Sequence, residues 1–388
     1  MIDKDTPDHT ATVSPFSGIT VVEMSTSVAG PFAGQIFSEL GARVIKIEKS
    51  DGDDARRWGP PFWEGASAYF QALNRNKSSV VVDLRDPDEN ASLKDFIVEH
   101  ADVVIQNLRP GQVDKLGLGG KDLLALKPSL IYCNMGAFGN TGPLSDKPGY
   151  DPLMQAFGGI MSTTGEEGRP AVRVGASIVD MGTGMWAVIG VLSALLERKT
   201  TGKGRVVDVS LFETSTSWVS LLASQYLASG KLAGRQGSGA AGIVPYKGYK
   251  TSDGEIVVAA GSDSLFKSLS GVLGHPEWPT DPKYVDNPNR VNNQSELYQM
   301  IDAIMLTQST SYWQEKLEAA GVPCSPVNDL AQMLAHPQTE ALGLVQPVPG
   351  TGMRFLGLPI SFDGQRPEPL APPPKLGEHN DILKRRKK

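Results

Sequence analysis

The chain has 388 residues, of which 40% are apolar, 21% charged and 7% aromatic. That mixture excludes a disordered or fibrous chain and leaves room for two or three domains. A net charge of −6 excludes the Lys/Arg excess of a nucleic-acid surface, and the terminal run KRRKK reads as a solvated tail. Cys133 and Cys324 lie far apart and form no metal-like spacing. Neither a disulfide nor a zinc site is expected, which fits a reduced, cytoplasmic setting.

Residues 1–17 are polar and acidic, without the basic start and apolar stretch of a signal peptide, and read as a loose arm. From Gly18 the pattern is strand (GITVVEM), loop (STSVAGP), helix (FAGQIFSELG) and strand (ARVIKIEK). A second unit repeats it, with SSVVVDL, the helix PDENASLKDFIVEH and ADVVIQN, before SLIYCNMGAFG supplies a further strand. Short apolar runs alternating with amphipathic helices predict an α/β fold: a parallel sheet covered on both faces, in a Rossmann-like large domain over 18–212.

Within that domain, SIVDMGTGM at 177–185 places Asp180 between an apolar run and two glycines, at the entrance of a helix that ends in Gly-Lys-Gly. An aspartate there serves as a cap. Alternatively the helix amides steady a reacting carboxylate, and the glycines admit a substrate close to the backbone. The longest apolar stretch, MWAVIGVLSALL, is shorter than the roughly 20 residues of a membrane span, so no membrane association is expected.

Small residues in GKLAGRQGSGAAG mark a linker and loop over 213–242. Two short strands around Asp253-Gly254, followed by helical patterns, predict a smaller α+β domain over 243–330. Residues 331–388 are rich in proline and read as an extended arm returning to the large domain.

Few constellations carry chemistry. Glu48 stands where a dinucleotide-binding acid would sit, but STSVAGPFAG lacks G-x-G-x-x-G and has Pro31 at the helix start. Glu48 therefore reads as the end of a surface strand. The five histidines have no partners at metal or triad spacing, and neither cysteine is placed as a nucleophile. Lys49, Arg85, Asn107, Arg109 and Lys115 recur at the carboxyl ends of predicted strands. There they converge on one anionic ligand, or each is a solvated surface group.

With these residues in view, the chain resembles the class III CoA-transferases, the CaiB/BaiF family that includes formyl-CoA transferases. The likeness runs from Gly18 to about Leu383 through AGPFAGQIFSELGARVIKIEKSDGDDARRWGPP, LNRNKSSVVVDL, QNLRPG, GYDPLMQAFGGIMSTTGEEG, VDMGTGM, TGKGRVVDVSLFE, GVPCSPVNDL and LGEHNDIL. It implies that Asp180 is the nucleophile, moving CoA from an acyl-CoA to a small carboxylic acid through covalent aspartyl intermediates, without metal or tightly bound cofactor. With a reference pKa of about 3.9, this carboxylate is expected to be ionised at neutral pH. The amides of Met181 and Gly182 are candidate oxyanion donors.

The resemblance further implies CoA contacts at Val28, Ala29, Lys49, Val82, Asp83, Leu84, Arg85, Asn107, Leu108, Arg109, Lys115, Gly149, Tyr150 and Asp151. It also implies a glycine-rich loop at Gly237 and Gly239 and an interlocked homodimer. Formyl-CoA transferases carry glutamine where Val28 stands, so formyl-CoA is not implied as substrate. Arg169 and Arg173 are candidates to meet the second carboxylate of a diacid such as succinate. Two alternatives remain: an α-methylacyl-CoA racemase, in which Tyr150 replaces the family's histidine, and a CoA-binding protein without turnover.

Overall fold

Val21-Val22 and Val103-Val104-Ile105 are wholly buried, as strands covered on both faces must be. They lie in a sheet of six parallel strands: β1 (Thr20–Met24), β2 (Arg43–Glu48), β3 (Lys77–Val81), β4 (Val103–Gln106), β5 (Ile131–Gly136) and β6 (Val206–Ser210). Their order is β3-β2-β1-β4-β5-β6, parallel throughout. The strand order reverses between β1 and β4, which opens a crevice beyond their carboxyl ends. The α/β fold with a large parallel sheet agrees with the sequence reading. The computed structural model describes residues 14–240, 242–369 and 371–383. Most of the N-terminal arm and the KRRKK tail lie outside them.

The chain forms two compact units, one of residues 1–159, 174–219 and 337–388, the other of 160–173 and 220–336. In the larger, helices α1 (Ala29–Glu39), α2 (Pro87–His100), α3 (Asp151–Phe157), α4 (Ile178–Thr201) and α5 (Leu211–Trp218) position the site. Helix α2 starts where its chemistry dictates: Asp86 accepts hydrogen bonds from the amides of Asp88 and Glu89, and Pro87 takes the first helical position. Helix α4 stops at Gly202, whose left-handed backbone (φ 67°) lets its N–H donate to the Arg198 carbonyl. By length and composition α4 is apolar enough to cross a bilayer, but half of its apolar stretch is buried, packed against α1, α5, β5 and β6.

Residues 371–383 lie along β3, the sheet's outermost strand. Val81 N–H donates to Asn380 Oδ1 (2.8 Å), His379 N–H to the Ser79 carbonyl (2.9 Å) and Gly377 N–H to Ser79 Oγ (3.0 Å). An otherwise open edge is thereby covered. In the smaller unit β7 (Tyr246–Lys250), β8 (Glu255–Ala259) and β9 (Cys324–Pro326) form an antiparallel sheet in the order β9-β8-β7. Its core gathers Tyr249, Ile256, Phe266, Leu297 and Trp313. Composition and periodicity do not separate 160–173 from the larger unit, yet these residues belong to the smaller one.

Candidate active site

At the entrance of α4 the capping residue by position is Ser177, which makes no side-chain cap. The cap comes from α3. Asp151 Oδ2 accepts from the amides of Val179 (2.8 Å) and Asp180 (3.2 Å), and its Oδ1 accepts from Gln155 Nε2 (2.6 Å). Gln155 Oε1 in turn accepts from Val174 N–H (2.8 Å). Asp151 is buried, so it carries out the capping that the helix requires, and Asp180 is left without that task. The half-buried Asp180 carboxylate makes no hydrogen bond or ion pair among the described residues. Burial, and then the negative charge of Asp151, push it up to about 7. This corrects the expectation of a fully ionised carboxylate: about half is ionised at pH 7.

The Met181 amide donates to the Ser177 carbonyl (2.9 Å), and Gly182, the fifth residue of the helix, already lies within the intrahelical ladder. Neither expected oxyanion donor is free. The two glycines answer to packing instead. A Cβ on Gly182 would stand 2.8 Å from the Trp218 ring and 2.9 Å from Thr214 Cγ2, both on α5; one on Gly184 would stand 2.8 Å from the Ala29 carbonyl and 3.2 Å from Ala33 N on α1. Helices therefore press on α4 from both sides, in place of the substrate approach expected from the sequence. The consequence for the site is geometric. Gly184 lies four residues beyond Asp180, about 6 Å along the axis, so Asp180 sits just over one turn from the crossing of α4 with the start of α1.

Val28 and Ala29 open α1 at the carboxyl end of β1. Asn107, beyond β4, binds the neighbouring Thr26 twice: its Oδ1 accepts from Thr26 N–H (2.9 Å) and its Nδ2 donates to the Thr26 carbonyl (2.8 Å). The crevice where strand order reverses thus holds Val28, Ala29 and Asn107 together. Leu108 lines a cavity of about 400 Å³ with Gln106, Asn134 and Gly136, at the ends of β4 and β5.

Of the remaining predicted positions, Lys49 follows β2 and Val82 to Arg85 follow β3. Val82 is buried, Leu84 packs on the core, and Asp83 accepts from the Arg85 amide (3.0 Å) in the turn after β3. Arg85, Arg109 and Lys115 are exposed. Lys49 pairs with Asp54 (3.0 Å) and Asp51 (3.6 Å). Gly149 leaves no room for a side chain between Ala137 and Met154, and Tyr150 is 64% exposed. Cys133 is buried in β5, where burial pushes its thiol up to about 12, so it is unavailable as a nucleophile.

Gly237, Gly239, Arg169 and Arg173 belong to the smaller unit. There Gly237 N–H donates to the Gly165 carbonyl (2.8 Å), Ser238 Oγ accepts from Gly248 N–H (2.9 Å), and Arg235 donates to the carbonyls of Glu166 and Arg169.

One set of residues escaped the sequence reading. Beneath the crevice, Lys46 pairs with Glu23 (3.0 Å) and Asp53 (2.9 Å), and Lys77 with Glu23 (2.7 Å), all fully buried. Glu48 is no surface strand end. It is 4% exposed, binds Arg56 through both oxygens (2.7 and 2.8 Å) and accepts from Ser79 Oγ (2.6 Å). Burial raises its pKa, but Arg56, Lys46 and Ser79 outweigh that and hold it at about 2. The signal was present: a lysine between Ile45 and Ile47 in a central strand demands a buried partner.

Comparison with known proteins places this geometry among relatives. Residues 16–380 match the family model described as CoA-transferase family III. A human protein named succinyl-CoA:glutarate CoA-transferase is 35% identical over 377 residues, covering 96% of this chain and 86% of the relative. A succinate–glutarate CoA-transferase of Agrobacterium fabrum is 36% identical over 375 residues, with 94% of each chain covered. A crystal structure of a CAIB/BAIF family protein from Brucella suis superposes with a TM-score of 0.87 at 38% identity, covering 95% of this chain and 98% of that one.

Proposed function

The chain belongs to family III of the CoA-transferases, and from that premise we propose that Asp180 carries the CoA covalently between two carboxylic acids. An Asp180 oxygen attacks the thioester carbonyl of the donor; the C–S bond breaks, and CoA thiolate leaves an acyl-aspartyl anhydride. The thiolate attacks Cγ of Asp180, releasing the donor's carboxylate and leaving an aspartyl-CoA thioester. The acceptor carboxylate then attacks Cγ and expels the thiolate. Attack of that thiolate on the acceptor's acyl carbon gives the new thioester and restores Asp180.

The observation that carries this reading is the Asp180 carboxylate: half-buried, without a hydrogen bond or ion pair among the described residues, and raised to about 7 by burial and Asp151. A more basic carboxylate is a stronger nucleophile, provided that enough of it is ionised, and about 7 satisfies both demands near neutral pH. CoA lies along the crevice, touching Val28, Ala29 and Asn107 to Arg109, with Lys49, Arg85 and Lys115 toward its phosphates. The nearby 400 Å³ cavity, lined by Leu108 and Gly136, has room for its nucleotide end. Gly149 and the exposed Tyr150 flank the reacting centre. The relatives' names support a dicarboxylate acceptor of four or five carbons.

The protein acts in the cytoplasm as a homodimer, interlocked in the manner of its family. An apolar surface formed by Leu153 and Phe157 of α3 and Met185, Trp186 and Ile189 of α4, each about half exposed, supports cover by a second copy. The test is mass spectrometry of the protein mixed with succinyl-CoA and no acceptor. An adduct on the peptide bearing Asp180, absent from Asp180→Asn, is the expected result; an adduct on another peptide overturns the assignment.

A further inference from the structure

The loop 25–28, between β1 and α1, is held at its first three residues. Lys46 Nζ donates to the Ser25 carbonyl (2.7 Å), Asn107 binds both backbone groups of Thr26, and Ser27 N–H donates to Asp53 Oδ1 (3.1 Å). Ser27 has a positive φ of 71°, a conformation that a non-glycine residue keeps only when its surroundings over-determine it. The group enforcing it is not itself mobile. Asp53 is wholly buried, its second oxygen pairs with Lys46 (2.9 Å), and Oδ1 also receives the Ala55 amide (3.0 Å).

Helix α1 is fitted to the same cluster. Lys77 Nζ donates to the Pro31 carbonyl (2.8 Å), and Gly30 and Gly34 leave room for the side chains of Ser25 and Glu23. A chain of charges thus runs from the middle of the sheet to the backbone of one short loop. Stability alone does not require a strained serine at its end. A binding surface does, because a loop fixed beforehand loses no ordering entropy when its ligand arrives.

We propose that Asp53, anchored by Lys46, is a positioning residue for acyl-CoA: it holds Ser27 in the left-handed conformation that presents Val28 and Ala29 to the ligand. The inference rests on Val28 and Ala29 being CoA contacts. It assigns to Asp53 an effect on CoA affinity, with no part in the steps on Asp180.

The test is calorimetric titration of the full chain with CoA. Asp53→Ala removes the clamp and is expected to weaken CoA binding on the order of tenfold. Asp53→Asn keeps an acceptor oxygen for Ser27 and is expected to bind within about threefold of the parent, less than half of that loss on a free-energy scale. The decisive variant combines Asp53→Ala with Ser27→Gly. Glycine adopts positive φ without a clamp, so most of the lost affinity returns, whereas a defect spread through the charged core stays. An unchanged dissociation constant in Asp53→Ala overturns the positioning role, as does equal weakening in both Asp53 variants with no return on adding glycine. Val28→Asp separates the two readings. If CoA binding ignores it, the loop does not touch CoA and both fall; if it weakens binding while Asp53→Ala does not, only the role of Asp53 fails.

Discussion

Two groups of buried acids lie in the larger unit, and their surroundings make them opposites. Glu23, Asp53 and Glu48 are matched by Lys46, Lys77 and Arg56. Burial raises Glu23, yet Lys46 and Lys77 overcome it and hold the carboxyl below its ordinary range. Among the described residues no cation pairs with Asp151 or Asp180, and Asp180 rises to about 7. The same residue type is thereby made inert in one place and reactive in the other. What differs is the company: the cations around Glu23 and Glu48 hold them as anions, whereas Asp180, facing the charge of Asp151, retains the basicity that a nucleophile needs.

Each member of the contrast can be removed. The largest effect is expected from Asp180→Asn, which should lower CoA transfer about a thousandfold or more in steady-state assays. Near-normal rates would return the nucleophile's role to another group. Next, Lys46→Met strands Asp53 in the core and takes one of its two cations from Glu23; urea unfolding should show a loss of about 3–5 kcal/mol. A loss under 1 kcal/mol would mean that the balanced cluster tolerates imbalance.

Asp151→Asn keeps an oxygen to cap α4 but removes the like charge. The acid limb of kcat/KM, expected near pH 7 in the parent, should move down by roughly one unit. An unmoved limb would leave burial as the sole cause. The smallest effect concerns stability. Because the folded-state pKa of Asp180 exceeds its unfolded value, the folded protein binds more protons between about pH 4 and 7, and its stability falls as pH rises through that window. Asp180→Asn should therefore melt a few degrees above the parent at pH 8 and converge with it near pH 4. A difference independent of pH would contradict the linkage.

The architecture was largely legible because apolar runs and helix signals report burial and capping locally. Helix α2 occupies Pro87–His100 as PDENASLKDFIVEH reads, and β1, β2, β4 and β5 fall within their predicted runs, whereas β3 starts one residue before its run and β6 was not predicted. The surroundings of Asp180 were not legible in the same way. That Asp151, 29 residues earlier, caps α4 depends on how α3 packs, and no periodicity in the chain encodes it. Gly182 and Gly184 were visible as anomalies, but their cause lies in α5 and α1. Glu48 was misread for a similar reason: its partner Arg56 is near in sequence, but Ser79 lies on the adjacent strand.

The cover on β3 has a consequence for biosynthesis. Residues 377–380 supply hydrogen bonds to a strand that ends at Val81, about 300 residues earlier. A ribosome releasing the chain from its N-terminus exposes the other five strands of the sheet well before that cover emerges. Until then the rim of β3 is open to pairing with other chains, and the nascent protein is vulnerable to aggregation. Folding of this enzyme is therefore a problem of timing, because one strand edge is covered only by residues made about 300 positions later.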